Sequence, residues 1–323
     1  MEQSAKIPFK KLNFMDAYKD IKPLFESGFI GLGEKVFEFE RELAKYVGAK
    51  YCIAVDSCTS ALFLSLKYEK PIEVSIPSMT VPLVANACLE AGAQIRFNSY
   101  TEWVGSSYQI MGSNVYDSAH QIDKGQYEKL FEENPYAKLC FSFYPTKPIG
   151  SADGGAIATN DIEFADWARS ISTYGRNQKA KYANSWDYDV VMVGYKRHYT
   201  NLQAGICLEQ LRRLDVVKSK LGFIRKALND ALGYNNVSDY LYRIKVDKRD
   251  EFIKFAAERG IECGVHFKPL HLMTPFLNVP MTIPDKLKVE NDYAHTVSLP
   301  FFTEMTSEEV ARIIDCVKDY EAL

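Results

Sequence analysis

Apolar residues fall in two rhythms along this chain. Over 34–47, Val36, Phe39, Leu43 and Val47 recur on one helical face, and Gly48 ends the element. Directly afterwards, 51–55 is a short continuous apolar run, the mark of a strand buried on both faces. The pair of signals then repeats. Strands are predicted over 72–76, 94–97, 114–116, 139–143 and 155–159. Helices are predicted over 61–66, over 85–89, and from a cap at Asn160 or Asp161 to about residue 172. Short buried strands alternating with helices predict an α/β fold, with a mostly parallel central sheet covered by helices on both faces.

The last third has a different rhythm. Tyr240, Tyr242, Ile244 and Val246 alternate with more polar neighbours, as in a half-buried strand. A helix follows over 250–259, and Ile261, Cys263, Val265 and Phe267 alternate again. Thr306 and Glu309 have the spacing of a capping box before a final helix carrying Val310, Ile313, Ile314 and Val317. This is a smaller C-terminal α/β domain. The expected division is 1–215 for a large domain and 216–323 for the small one, with the boundary on a long helix.

Composition narrows the field. The chain has 323 residues, 47% of them hydrophobic and 25% charged, which are globular values. The net charge of -3 provides no basic field for a nucleic acid. No apolar run is long enough to span a membrane, and 1–10 does not read as a signal peptide. Seven widely spaced cysteines without a C-x-x-C argue against both a disulfide framework and a zinc site, so no metal is expected. The cytoplasm is the expected compartment.

Three segments are candidates for chemistry. Lys147 follows the strand 139–143, between Pro145 and Pro148, at a strand end where open α/β sheets keep their sites. It reads either as a Schiff-base lysine or as a solvated loop residue. Asp117 ends another strand, where an acid can keep a cofactor's pyridine nitrogen protonated, and His120 lies three residues on. Asp117 could equally cap the following turn. Ser57, Cys58 and Thr59 join a strand to a helix, where N–H groups and hydroxyls hold a phosphate or simply cap the helix. Ser142 adds a further hydroxyl. Gly31-Leu32-Gly33 lacks a preceding strand and a third glycine, so it is a weak nucleotide motif. Phosphate cup, acid and lysine, in that order on three strand ends, together meet the requirements of pyridoxal 5'-phosphate.

These motifs resemble the DegT/DnrJ family of sugar aminotransferases, fold-type-I enzymes that use pyridoxal phosphate. The resemblance spans nearly the whole chain. It runs through Phe29 to Gly33, Ser57 to Leu62 and the turn Pro77-Ser78-Met79-Thr80. It continues through Asp117 to His120, Ser142 to Lys147 and Asp153-Gly154-Gly155, and ends with Gly260 to His271 and Leu299-Pro300. It implies Lys147 as the Schiff-base lysine, with Asp117 and His120 beside it as catalytic residues. It implies a cofactor site of Ser57, Cys58, Thr59, Val81, Asp117, His120, Ser142, Lys147 and Lys196. It places His266 and His271 toward the substrate. It also implies a homodimer with shared active sites, an amino-acid donor such as glutamate, and a nucleotide-linked keto sugar as acceptor.

The chain departs from the family pattern at four places. Cys58 replaces a glycine of the phosphate loop, and Val81 replaces an aromatic that stacks on the ring. Lys196 stands where an asparagine reaches the partner subunit's phosphate. The stretch 100–114 is short, as if a strand–helix unit between Phe97 and Val115 were missing. Two rival functions use the same scaffold. Family members that are sugar dehydratases have histidine in place of the lysine, which Lys147 argues against. A non-catalytic binding or regulatory homologue is the other, and retention of Lys147, Asp117 and His120 argues against it.

Overall fold

The computed structural model describes residues 5–177 and 188–323. Two helices, α1 (Tyr18–Ser27) and α2 (Glu34–Val47), lead into β1 (Tyr51–Val55) and α3 (Cys58–Glu69). Next come β2 (Glu73–Pro77), α4 (Pro82–Glu90), β3 (Gln94–Asn98), β4 (Tyr108–Gln109) and β5 (Val115–Asp117). After them run α5 (Gln126–Glu133), β6 (Lys138–Ser142), β7 (Gly155–Thr159) and α6 (Ile162–Ser172). The long α7 (Asn201–Leu232) precedes β8 (Tyr242–Lys245), α8 (Arg249–Glu258), α9 (Ile283–His295), β9 (Thr296–Leu299) and α10 (Ser307–Glu321).

The α/β class is as expected, but the sheet is mixed. Strands β5/β6 and β2/β3 pair in parallel, whereas β1/β7, β6/β7 and β4/β5 pair antiparallel. The reason lies in the connections. A parallel neighbour needs a crossover of a dozen or more residues, usually a helix, whereas a hairpin returns the chain antiparallel. No helix lies between β6 and β7 or between β4 and β5. The strand order is β1-β7-β6-β5-β4. Beyond β4 the same segment continues to Met111, which exchanges backbone hydrogen bonds of 2.9 and 3.0 Å with Ser75 of β2. The gap predicted between β3 and β5 is thus bridged by a short antiparallel hairpin.

Alternation along the strands sends side chains to two cores. Ile53, Val55, Cys140 and Ile157 face one cluster with α3, α4 and α6. Cys52, Ala54, Leu139, Phe141, Ala156 and Ala158 face the other, with α2 and α7. Helices therefore cover both faces, as the apolar runs predict. A third cluster joins Leu221 and Leu228 of α7 to β8, α8, β9 and α10. The alternation predicted over 261–267 forms only bridges, Ile261 with Ile7 and Gly264 with Ser298.

Candidate active site

Ser57 is the N-cap of α3, its side chain accepting from Ser60 N–H at 3.1 Å. That leaves the N–H groups of Cys58 and Thr59 as orphan donors at the positive end of the helix. The Arg197 guanidinium donates to Ser60 Oγ at 3.1 Å and adds positive charge beside this turn. The turn is packed directly against β7. A Cβ on Gly155 would lie 2.5 Å from Cys58 N and 2.6 Å from the Ser57 carbonyl carbon, so only glycine fits. Burial pushes the Cys58 thiol well above its ordinary range, so it is neutral.

Asp117 ends β5 and is buried. Its Oδ1 accepts from Ala119 N–H at 2.9 Å, and its Oδ2 accepts from the Tyr108 hydroxyl at 3.0 Å. Burial raises its pKa, while these donors and the nearby Lys147 charge lower it. His120 is buried, and its Nδ1 accepts from Gly105 N–H at 3.1 Å. In the neutral ring the proton is then on Nε2, which becomes a donor. Burial, and then the Lys147 charge, keep His120 neutral by holding its pKa well below the usual histidine value. Its ring stacks on Trp103 at 5.1 Å.

Lys147 lies beyond β6 in a cleft of about 240 Å³. Its ammonium sits 4.6 Å from the centre of the Tyr240 ring and makes no ion pair among the described residues. Its charge influences Asp117, His120, His266 and Cys58. Ser142 is buried at the end of β6, its Oγ accepting from Tyr144 N–H at 3.4 Å. Val81 precedes α4 and packs against the first core cluster.

The predicted substrate residues differ. His266 bonds Ser298 Oγ through Nδ1 at 2.9 Å and stacks on Phe9, and burial and Lys147 lower its pKa to about 4. His271 has both ring nitrogens occupied, by Ser78 Oγ at 2.6 Å and Glu290 Oε1 at 3.1 Å. It ties the loop before α9 to the turn at Pro77. Lys196 is exposed and pairs through its backbone with Thr173.

Sequence reasoning missed Tyr108, Trp103, Tyr240 and Lys10. The Lys10 ammonium donates to the carbonyls of Tyr240 and Phe301 at 2.6 and 2.7 Å. Burial, and then the Lys147 charge, lower its pKa to about 7, and it lines the same cleft. Nothing in the local sequence marks it, because its partners lie more than 200 residues away.

Orphan helix N–H groups suit a phosphate, a buried carboxylate suits a protonated ring nitrogen, and Lys147 is free to meet an aldehyde. Gly155 lets the phosphate-binding turn pack directly against β7. The fold and site are those of a pyridoxal-phosphate-dependent transferase. The chain belongs to the DegT/DnrJ/EryC1/StrS aminotransferase family, whose model matches residues 15–102 and 137–318. It is accordingly a pyridoxal-phosphate-dependent sugar aminotransferase. The unmatched stretch contains β4 and β5, and with them Asp117 and His120.

The chain is 30% identical to the spore coat polysaccharide biosynthesis protein SpsC of Bacillus subtilis, over 93% of each chain. It is 25% identical to a UDP-4-amino-4,6-dideoxy-N-acetyl-beta-L-altrosamine transaminase of Campylobacter jejuni, over 88% of this chain and 89% of that one. In structure it resembles PseC of Helicobacter pylori, an aminotransferase of pseudoaminic acid biosynthesis, with a TM-score of 0.79, 20% identity and full coverage of both chains. It also resembles Spr1654 of Streptococcus pneumoniae in its PLP form, with a TM-score of 0.81, 21% identity, and coverage of 98% of this chain and 100% of that one. Among the described residues no helix is long and apolar enough to cross a membrane, and no acid, histidine or cysteine cluster could hold a metal.

Proposed function

We propose that the enzyme moves an amino group from an amino acid, glutamate, to a nucleotide-linked keto sugar and so makes an amino sugar. The observation that carries this reading is the closeness of Lys147 to His120 and Asp117: the Tyr240 ring lies 4.6 Å from the Lys147 ammonium and 4.5 Å from the His120 ring, and the Lys147 charge acts on Asp117. The name of the Campylobacter jejuni relative, a transaminase of a UDP-linked amino sugar, supports the class of acceptor.

Pyridoxal phosphate, when bound, supplies an electron sink that makes the carbon bearing the amino group acidic. The N–H groups of Cys58 and Thr59 and the hydroxyls of Ser57, Thr59 and Ser142 would hold the phosphate. Val81 would lie against the ring. Asp117 would keep its negative charge against the ring nitrogen, and His120 would donate from Nε2 to the ring oxygen. Lys147 Nζ would take the proton from the α-carbon of the donor amino acid and, in the second half of the reaction, give one to the sugar carbon that gains the amino group. By the family resemblance His266 would serve the substrate, and His271 fixes the loop before α9 to the turn at Pro77.

The chain divides near residue 215 into a cofactor-binding part and a smaller C-terminal part. Two copies pair, and the exposed Lys196 of each serves the other's phosphate. The cytoplasm suits seven free cysteines.

A panel of nucleotide keto sugars, incubated with ¹⁵N-glutamate and the loaded enzyme, tests the reaction by mass spectrometry. One acceptor should gain ¹⁵N. Absence of transfer to every acceptor, by an enzyme that has bound its cofactor, would refute the proposal.

A further inference from the structure

The short stretch between β3 and β5 lies partly outside the family match, and it is rebuilt here as the hairpin arm 99–111. In the β4/β5 pair, Tyr108 is directly opposite Asp117, so the two side chains share a face. The Tyr108 hydroxyl reaches Asp117 Oδ2 at 3.0 Å and lies 3.3 Å from Thr80 Oγ1. Its ring is buried against Trp103, with centroids 4.5 Å apart. The same arm supplies Gly105 N–H to His120 Nδ1. Gly105 has φ +99°, and a Cβ there would meet Ser238 Oγ at 2.6 Å. The Ser238 hydroxyl in turn donates to Gly105 O at 2.8 Å, which holds the arm in place.

Asp117 needs such a donor. The ionisable groups facing it are Cys58 on α3, Cys88 on α4, Cys140 on β6, Tyr108 on β4 and Lys147 beyond β6. Burial pushes all three thiols up, Cys88 to about 12, so at neutral pH they bring no charge. Lys147 supplies positive charge only while protonated, and its role as a base requires it to lose that proton. Tyr108 and the Ala119 N–H are the donors that remain through the whole cycle.

We propose that Tyr108 is a positioning residue for the transamination, its hydroxyl holding and orienting the Asp117 carboxylate from a strand that replaces the missing strand–helix unit. This rests on Asp117 being the partner of the cofactor's ring nitrogen. One lone pair of Oδ2 receives Tyr108, and the remaining lone pairs stay open to the ring. A hydrogen bond to a charged group is worth more than one between neutral groups, and its loss from a buried carboxylate favours the protonated form.

Tyr108→Phe removes one oxygen and keeps the ring. In cofactor-free protein carrying ¹³C-labelled aspartate, with Asp117→Asn to assign the signal, the Asp117 carboxyl should titrate higher by about one pH unit. That is a tenfold change in proton affinity. In the loaded enzyme kcat should fall about tenfold at pH 7 and recover as the pH rises, with KM for glutamate changed far less. Difluorotyrosine placed at position 108 is a stronger donor and should shift the Asp117 titration downward, which provides a test even if Tyr108→Phe does not fold. An Asp117 titration that does not move in either variant would overturn the proposal. Undiminished turnover in Asp117→Asn would instead remove the role of Asp117 on which it rests.

Discussion

Asp117→Asn separates the cost of the site from its use. The substitution removes a buried negative charge but hardly alters shape. Asn can still accept from Ala119 N–H, a 2.9 Å bond in the native protein. Its amide can donate to the Tyr108 hydroxyl, which then turns its own proton to Thr80 Oγ1, 3.3 Å away. No hydrogen bond need be lost. Burial raises the native Asp117 pKa, so the folded protein holds this proton more tightly than the unfolded chain does. Native stability therefore loses a contribution as the pH rises above the ordinary aspartate value of about 3.9. The Asn variant has no such loss. Its cofactor-free form should melt at the same temperature as the native protein or higher at pH 7, with the advantage shrinking toward pH 4. Function should move the opposite way. Removing a pre-organised electrostatic partner costs about 3 kcal/mol, or roughly 100- to 1,000-fold in kcat. Calorimetry of the two cofactor-free proteins from pH 4 to 7, with stopped-flow measurement of the glutamate half-reaction, reads both quantities. A variant that melts several degrees lower at pH 7, or one that turns over within about threefold of the native enzyme, would refute the reasoning.

Other outcomes follow from the same geometry. Gly155→Ala forces a Cβ against the backbone of Ser57 and Cys58, so it should cost about 1–3 kcal/mol in urea unfolding and weaken pyridoxal phosphate binding. His266 is held neutral down to about pH 4, whereas an unfolded histidine titrates near 6.5. Its contribution to stability is present above about pH 6.5 and declines toward pH 4 by up to about 1.4 kcal/mol per pH unit. The acid dependence of stability should therefore be shallower in His266→Gln than in the native protein. Lys147→Ala and Lys196→Glu should each be inactive, and mixed dimers should regain activity if Lys196 serves the partner's site. No recovery after demonstrated subunit exchange would refute the shared site.

The elements that follow directly from local pattern were legible in the sequence. The α2 stripe, the runs at β1, β6 and β7, and the Asp161 cap all appear where predicted. So does the Thr306/Glu309 capping box. Strand direction was not legible, because a strand buried on both faces has the same apolar run whether its neighbours are parallel or antiparallel. The connections decided it. The arm 99–111 was read only as a deletion, since a two-residue strand has no period to detect. Its meaning depends on the pairing of Tyr108 with Asp117 and on Ser238, 133 residues from Gly105. Cys58 departs from the family's glycine, yet the N–H groups at 58 and 59 remain unpaired within the helix, and Gly155 lets the turn pack directly against β7. The histidines were distinguished only by their partners: His271 is closed by Ser78 and Glu290, whereas His266 bonds Ser298 through Nδ1 alone.

The central claim is that Lys147 is the lysine that receives pyridoxal phosphate. The demanding comparison is Lys10, which lines the same cleft and whose pKa is lowered to about 7, so that a large share of it is neutral and nucleophilic at pH 7.5. Its two hydrogen bonds to main-chain carbonyls hold it in place, whereas Lys147 has no ion pair among the described residues. Cofactor-free protein saturated with pyridoxal phosphate at pH 7.5, reduced with borohydride, digested and mapped by mass spectrometry decides between them. The pyridoxyl mass should fall on the peptide containing Lys147. A label on Lys10 or on any other lysine, with Lys147 unmodified, would contradict the account.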